Sequence, residues 1–164
     1  PFMARQVFSV RNGALQLDLS VTNIGERAML AGLGWHPFFN AAAANGDVTL
    51  QVDVGSEVRA ETGKAAKAAL TAGTEVSTLE IDKTFDWPTR TAALVYPDGQ
   101  RVTLSACDAT KCVTLYRVAN RDFICVEPLT HWPDAHNRAE PLAAGLVHLA
   151  PGKTLRQVVR LEVS

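Results

Sequence analysis

A chain of 164 residues is long enough for one well-filled core and short for two ordinary domains, so a single folding unit over 1–164 is expected. With 47% apolar and 20% charged residues, the composition is that of a packed globular protein rather than a disordered one. The 16 basic and 17 acidic residues form no basic stripe and no run nears the ~18 to 20 apolar residues of a membrane helix, so neither nucleic acid nor a membrane is an expected partner.

The chain opens on Pro1-Phe2-Met3-Ala4-Arg5, without an initiator Met and without the basic-then-apolar pattern of a secretory signal; a processed or truncated chain is expected. Leu15, Leu17, Leu19 and Val21 then alternate with Gln16, Asp18, Ser20 and Thr22, the period of two that marks a half-buried strand. Val48, Leu50, Val52 and Val54 repeat the pattern. The alanine-rich piece Lys64 to Leu70, bounded by Gly63 and Gly73, is too short for a stable helix and predicts a loop or one helical turn. Thr91 to Tyr96 and Arg101 to Ala106 flank Pro97-Asp98-Gly99, where proline presets φ and glycine accepts a positive φ, so this pair predicts a hairpin. Val113 to Val118, Phe123 to Val126 and Leu155 to Val163 add β-prone runs between turn signals. Seven or more short strands give an all-β chain, and an antiparallel β-sandwich is the expected architecture.

Cys107, Cys112 and Cys125 are odd in number and contain no C-x-x-C pair, which argues against a disulfide framework and a zinc ribbon and for reduced thiols in the cytoplasm. Cys107 and Cys112 could face each other across a hairpin, although two small buried hydrophobes is the heavier reading. His131, His136 and His148 lack metal-ligand spacing, so no metal is assigned.

Two segments break the strand pattern. In Gly32-Leu33-Gly34-Trp35-His36-Pro37-Phe38-Phe39-Asn40 the histidine is held between Trp35 and Pro37, and an imidazole can give or take a proton near neutrality. From local sequence alone a structural, hydrogen-bonded His36 outweighs a catalytic one. In Phe123-Ile124-Cys125-Val126-Glu127-Pro128-Leu129-Thr130 an acid closes an apolar run, which puts Glu127 at a strand end. Apolar surroundings raise a carboxyl pKa and make it a better base near neutrality, with a salt-bridged glutamate as the equal alternative. Asp82 lies among aromatics in Leu79-Glu80-Ile81-Asp82-Lys83-Thr84-Phe85-Asp86-Trp87, where it could accept bonds from hydroxyls. Trp35 or Trp87 could offer an apolar face to a pyranose, although each reads more readily as core.

Taken in order, Gly-Leu-Gly-Trp-His-Pro-Phe-Phe-Asn, Ile-Asp-Lys-Thr-Phe-Asp-Trp and Phe-Ile-Cys-Val-Glu-Pro-Leu-Thr, with Val21-Thr22-Asn23 before Gly25, Pro133-Asp134-Ala135, and Leu149-Ala150-Pro151-Gly152 at the close, the chain resembles the aldose 1-epimerase (galactose mutarotase) family over nearly its whole length. The resemblance implies part of a galactose mutarotase-like supersandwich. It also implies His36 as general acid, Glu127 as general base, Asp82 as a ligand of sugar hydroxyls, and mutarotation of a hexose without a cofactor; Trp35, for its aromatic face, is kept as a substrate-binding candidate. Two departures stand out. The family's long N-terminal half, source of an arginine and a further histidine, is absent, so 1–164 is expected to be the C-terminal portion, its exposed strand edges paired with that half or with another chain. The family's glutamine falls on Thr114, which leaves the sugar open. The alternatives are a hexose-6-phosphate 1-epimerase of the same fold and a non-catalytic carbohydrate-binding sandwich.

Overall fold

A strand with apolar residues on alternate positions can hide only one of its faces, and this chain hides them by packing antiparallel sheets against each other. The structure, a computed structural model, describes residues 1–43, 45–59, 63–67 and 73–164, with 59 and 63–67 as backbone alone. In chain order the strands are β1 (Phe2–Arg11), β2 (Ala14–Asn23), β3 (Met29–Ala31), β4 (Phe38–Asn40), β5 (Thr49–Val52), β6 (Ser56–Arg59), β7 (Gly63–Lys67), β8 (Thr74–Glu75), β9 (Ile81–Asp86), β10 (Thr91–Val95), β11 (Arg101–Ala106), β12 (Cys112–Arg117), β13 (Phe123–Leu129), β14 (Val147–Leu149) and β15 (Thr154–Val163). A seven-stranded sheet has the order β1-β2-β15-β11-β10-β5-β8, a six-stranded sheet the order β4-β13-β12-β9-β6-β7, and β14 pairs with β3. The expected all-β antiparallel sandwich is the observed class.

Leu17, Leu50, Leu94, Leu104 and Val159 from the larger sheet meet Phe85, Val113, Leu115, Ile124 and Val126 from the smaller one in a single core. The alternation read in Leu15 to Thr22 places Leu17 in this core with no exposed surface. The Pro97-Asp98-Gly99 hairpin forms as expected: Val95 pairs with Arg101, and Gly99 takes a φ of +89°. A polar tie joins the layers near the site, since the fully buried Gln157 of β15 donates from Nε2 to Thr110 Oγ1 (3.0 Å) and to the carbonyl of Pro128 (3.2 Å) in β13.

The structure corrects three expectations. Residues 64–67 form most of β7, paired with β6, where a loop or helical turn was predicted; alanine's weak β preference is overridden once a neighbouring strand offers backbone partners. The rest of that stretch, 68–70, lies outside the described residues. Glu127 sits inside β13, not at its end, because β12 continues to pair with it as far as Leu129. Cys112 is fully buried in β12, whereas Cys107 lies past the end of β11, its Sγ accepting from the Val158 amide at 3.2 Å, so the two do not oppose each other. The ten-residue strand β1, which periodicity did not single out, runs along the edge of the larger sheet beside β2 with Phe8 and Val10 exposed.

Leu115 stands in the middle of the smaller sheet with no exposed surface, between β9 and β13. Leu115→Ala is therefore expected to cost about 2–5 kcal/mol, measured from urea unfolding curves of the two proteins. A cost below about 1 kcal/mol would mean that the two sheets do not close around this residue.

Candidate active site

Residues opposite one another in an antiparallel ladder point to the same face, and the register of β9, β12, β13 and β4 fixes what the outer face of the smaller sheet carries. Thr84, Thr114 and Glu127 form one row across β9, β12 and β13. Asp82, Tyr116, Cys125 and Phe38 form a second row from β9 to β4. The intervening residues Phe85, Val113, Leu115 and Val126 point the other way, into the core. Glu127 is thus an acid between Val126 and Pro128 whose side chain leaves the core and emerges on a face shared with hydroxyls and aromatic rings.

His36 reaches the same place from a loop. The amide of Leu33 donates to Thr130 Oγ1 (2.8 Å), and Thr130 Oγ1 and Thr130 N both donate to the Leu33 carbonyl (3.1 and 2.9 Å). Trp35 N donates to the Pro128 carbonyl at 3.2 Å, and Gly34 bridges to Leu129. The glycines allow this close approach: a Cβ on Gly32 would stand 2.5 Å from the His131 ring, and one on Gly34 would stand 2.4 Å from a Leu129 methyl. Laced to the end of β13, the loop brings His36 Nε2 to 3.2 Å from Glu127 Oε1. The imidazole stacks on Phe38 (4.9 Å, 16°) and meets the edge of Tyr116 at 6.4 Å.

The two partners sit in different surroundings. The Glu127 side chain is 11% exposed and that of His36 is 53% exposed. Burial pushes the Glu127 carboxyl above its ordinary value of 4.5, His36 pulls it back, and Asp82 on the same face pushes it up again. Cys125 is fully buried, and its thiol is pushed up to about 12 by that burial and by Glu127. Ligating atoms of His36, Cys125 and Glu127 all lie within 4.8 Å of one another, which sequence spacing alone could not reveal. A buried carboxylate poised to accept a proton, beside an exposed imidazole able to give one, is the equipment for moving protons on and off hydroxyl or ether oxygens.

The remaining expected site residues fall into two groups. Asp82 is exposed on the outer face, in register with Tyr116 and close enough to Glu127 to act on its charge. Trp35 is half-buried and packs against the main core, forming with Leu15, Phe39 and Leu161 the wall of an apolar hollow. Trp87 is 1% exposed, so its ring cannot stack on a sugar. A separate cavity of about 550 Å³ between Arg90, Lys111 and Trp132 contains neither His36 nor Glu127.

The family model of aldose 1-epimerases matches residues 1–162. The chain belongs to this family. Escherichia coli YphB is 24% identical over 185 residues, a match that takes in 99% of this chain and 60% of YphB. A galactose mutarotase-like protein from Clostridium acetobutylicum superposes with a TM-score of 0.85 at 16% identity, covering 99% of this chain and 56% of its own. Another, from Lactobacillus casei, superposes with a TM-score of 0.80 at 18% identity, covering 99% and 63%. This aldose 1-epimerase family member therefore spans about 60% of the length of the relatives it matches.

Two site features escaped the sequence reading. Cys125 stands two residues before Glu127 in one strand, and period-two alternation alone would have put both on one face. The role of Thr130 had no such signal, because its partner Leu33 lies 97 residues away. Thr130→Val removes both Oγ1 bonds to Leu33 while keeping the shape, and the orphaned Leu33 amide should cost about 1–3 kcal/mol, read as a lower urea midpoint at unchanged slope. An unchanged midpoint would show that the backbone bond from Thr130 N holds the loop unaided.

Proposed function

We propose that the chain interconverts the α and β anomers of a free hexose, with Glu127 as general base and His36 as general acid. The observation that carries this reading is the 3.2 Å approach of an exposed imidazole to a nearly buried carboxylate with a raised pKa, in a family whose name describes the reaction. Glu127 takes the proton of the anomeric hydroxyl, and the C1–O electrons form the carbonyl of the open chain as the bond from C1 to the ring oxygen breaks. His36 gives its proton to that oxygen. Rotation about C1–C2 and the reverse transfers close the other anomer, and both groups return to their starting charge. Asp82 and the hydroxyl of Thr114 supply acceptors on the same face for the sugar's hydroxyl groups.

The two side chains stand in contact, rather than a pyranose width apart as the simplest reading of an acid/base pair predicts. Glu127 is fixed by its strand, so the sugar enters as the His36 side chain rotates outward, giving up its 3.2 Å ion-pair contact with Glu127 for contact with the sugar. A lectin-like sandwich needs Asp82 and an aromatic wall but gains nothing from an acid and a base held in contact, which favours the enzyme.

Glu127→Gln keeps the shape and loses the base. It is expected to lower kcat for α-D-glucose or α-D-galactose mutarotation, followed by polarimetry, by about 10²–10⁴-fold with KM nearly unchanged. Equal rates for the two proteins would remove Glu127 from the reaction.

The sign of the pH dependence follows from the raised carboxyl pKa. The base acts only when ionised, so kcat/KM should fall as pH drops through that pKa, with its acid limb above the ordinary carboxyl value of 4.5. A limb at or below 4.5 would mean that another group supplies the base.

A further inference from the structure

Mutarotation as derived above gives Cys125 no work, yet its side chain shares the face and the immediate surroundings of the acid/base pair. We propose that His36, Cys125 and Glu127 form a binding site for a borderline divalent cation of the Zn²⁺ type, and that an ion there switches the acid/base pair off.

The donor set decides the class of ion. One imidazole nitrogen, one sulfur and one carboxylate oxygen suit Zn²⁺, whereas Ca²⁺ and Mg²⁺ require oxygen ligands. Bonds of about 2.0–2.3 Å in tetrahedral array hold ligand atoms about 3.3–3.8 Å apart. The His36 and Glu127 atoms already stand at 3.2 Å, and all three donors lie within 4.8 Å. The remaining closure is within reach of side-chain rotation, with His36 the exposed member and Cys125 and Glu127 two residues apart on one face of β13. Half of the imidazole faces solvent, which gives the ion its way in and leaves the fourth position to water.

Binding replaces the thiol proton, which passes to solvent, with the ion. The same ion takes the lone pair of the imidazole, which can then carry no proton to a ring oxygen, and its positive charge makes the bound carboxylate a weaker base. The inhibitory half of the proposal rests on the function proposed above; the binding half does not.

The test uses the 164-residue chain freed of metal with a chelator and titrated with Co²⁺, whose thiolate charge-transfer band and strong visible absorption report sulfur ligation in a tetrahedral site. The band is expected in the parent, to be displaced by Zn²⁺, to persist in Cys107→Ala, and to vanish in Cys125→Ala. His36→Ala alters an exposed side chain and so guards against a folding artefact at the buried cysteine. It should weaken Zn²⁺ binding by more than the roughly 10-fold that loss of an outer partner of a metal ligand costs. In the polarimetric assay Zn²⁺ should compete with sugar in the parent, and Cys125→Ala should turn over sugar while resisting Zn²⁺ by a similar factor. A missing band, or a band and affinity unchanged by either substitution at the site, overturns the metal site. Inhibition by Zn²⁺ that is equal in parent and Cys125→Ala overturns the switch. A Co²⁺ band in a chain that lacks mutarotation would sustain the metal site and count against the proposed function.

Discussion

The arrangement of the candidate site hangs on the lacing of the Gly32–Trp35 segment to Pro128–Thr130. Histidine and glutamate lie 91 positions apart in the chain, and local sequence does nothing to bring them together. Four hydrogen bonds between Leu33 or Trp35 and the end of β13 do so, with Thr130 making three of them. Such bonds are worth about 0.5–1.5 kcal/mol each, but the asymmetry matters more, since breaking one strands a buried donor or acceptor. The close backbone approach that they need is why Gly32 and Gly34 cannot carry a Cβ without displacing His131 or Leu129.

The same lacing explains how a nearly buried carboxylate is tolerated. A charge taken out of water costs several kcal/mol unless it is paired or gives up its charge. Here both routes are in use: burial raises the Glu127 pKa, and His36 at 3.2 Å opposes that rise. Asp82 adds a like charge on the same face and tips the balance back toward the protonated form. A carboxyl left wholly to its apolar neighbours would hold its proton too tightly to act as a base at neutrality, and one fully paired would ionise too easily to drive a proton transfer. Burial and the imidazole act on this carboxyl in opposite directions, and the net effect is a rise.

The fold was legible wherever alternation is strict. Leu15 to Thr22 and Val48 to Val54 announce their strands, and Pro97-Asp98-Gly99 announces its hairpin, because period two and turn chemistry are local properties. β1 and β9 were not legible in this way. β1 lies along a sheet edge with nearly every residue exposed, so its polar and apolar residues follow no burial rule. In β9 both Thr84 and Phe85 are buried, one on each face, which erases the alternation. His36, Glu127 and Asp82 were named because ordered motifs carried them. The contact of the first two, the burial of Cys125 beside them and the role of Thr130 depend on pairings across nearly a hundred residues, which no local pattern encodes. Trp87 follows the heavier of its two readings, ordinary core, because the two sheets close over its indole.

The division of the pair between a strand and a loop has a mechanical consequence. Glu127 is held in the ladder by β12, with Thr114 opposite, and the Gln157 bond to the neighbouring Pro128 carbonyl braces the strand beside it. The His36 backbone lies between the Trp35 anchor and β4, while its side chain stacks on the exposed Phe38 and stands half in solvent. Anything that enters between them must therefore displace the imidazole side chain, the more exposed of the two groups. Under the proposed assignment, a base fixed in the sheet and an acid on the more exposed side chain suit a reaction in which the first proton leaves a fixed hydroxyl and the second must follow a ring oxygen that recedes as the bond breaks. The reverse assignment, with the acid fixed in the sheet and the base on the loop, would place the mobile group where the proton has to be taken first, and orientation at that step carries much of the rate.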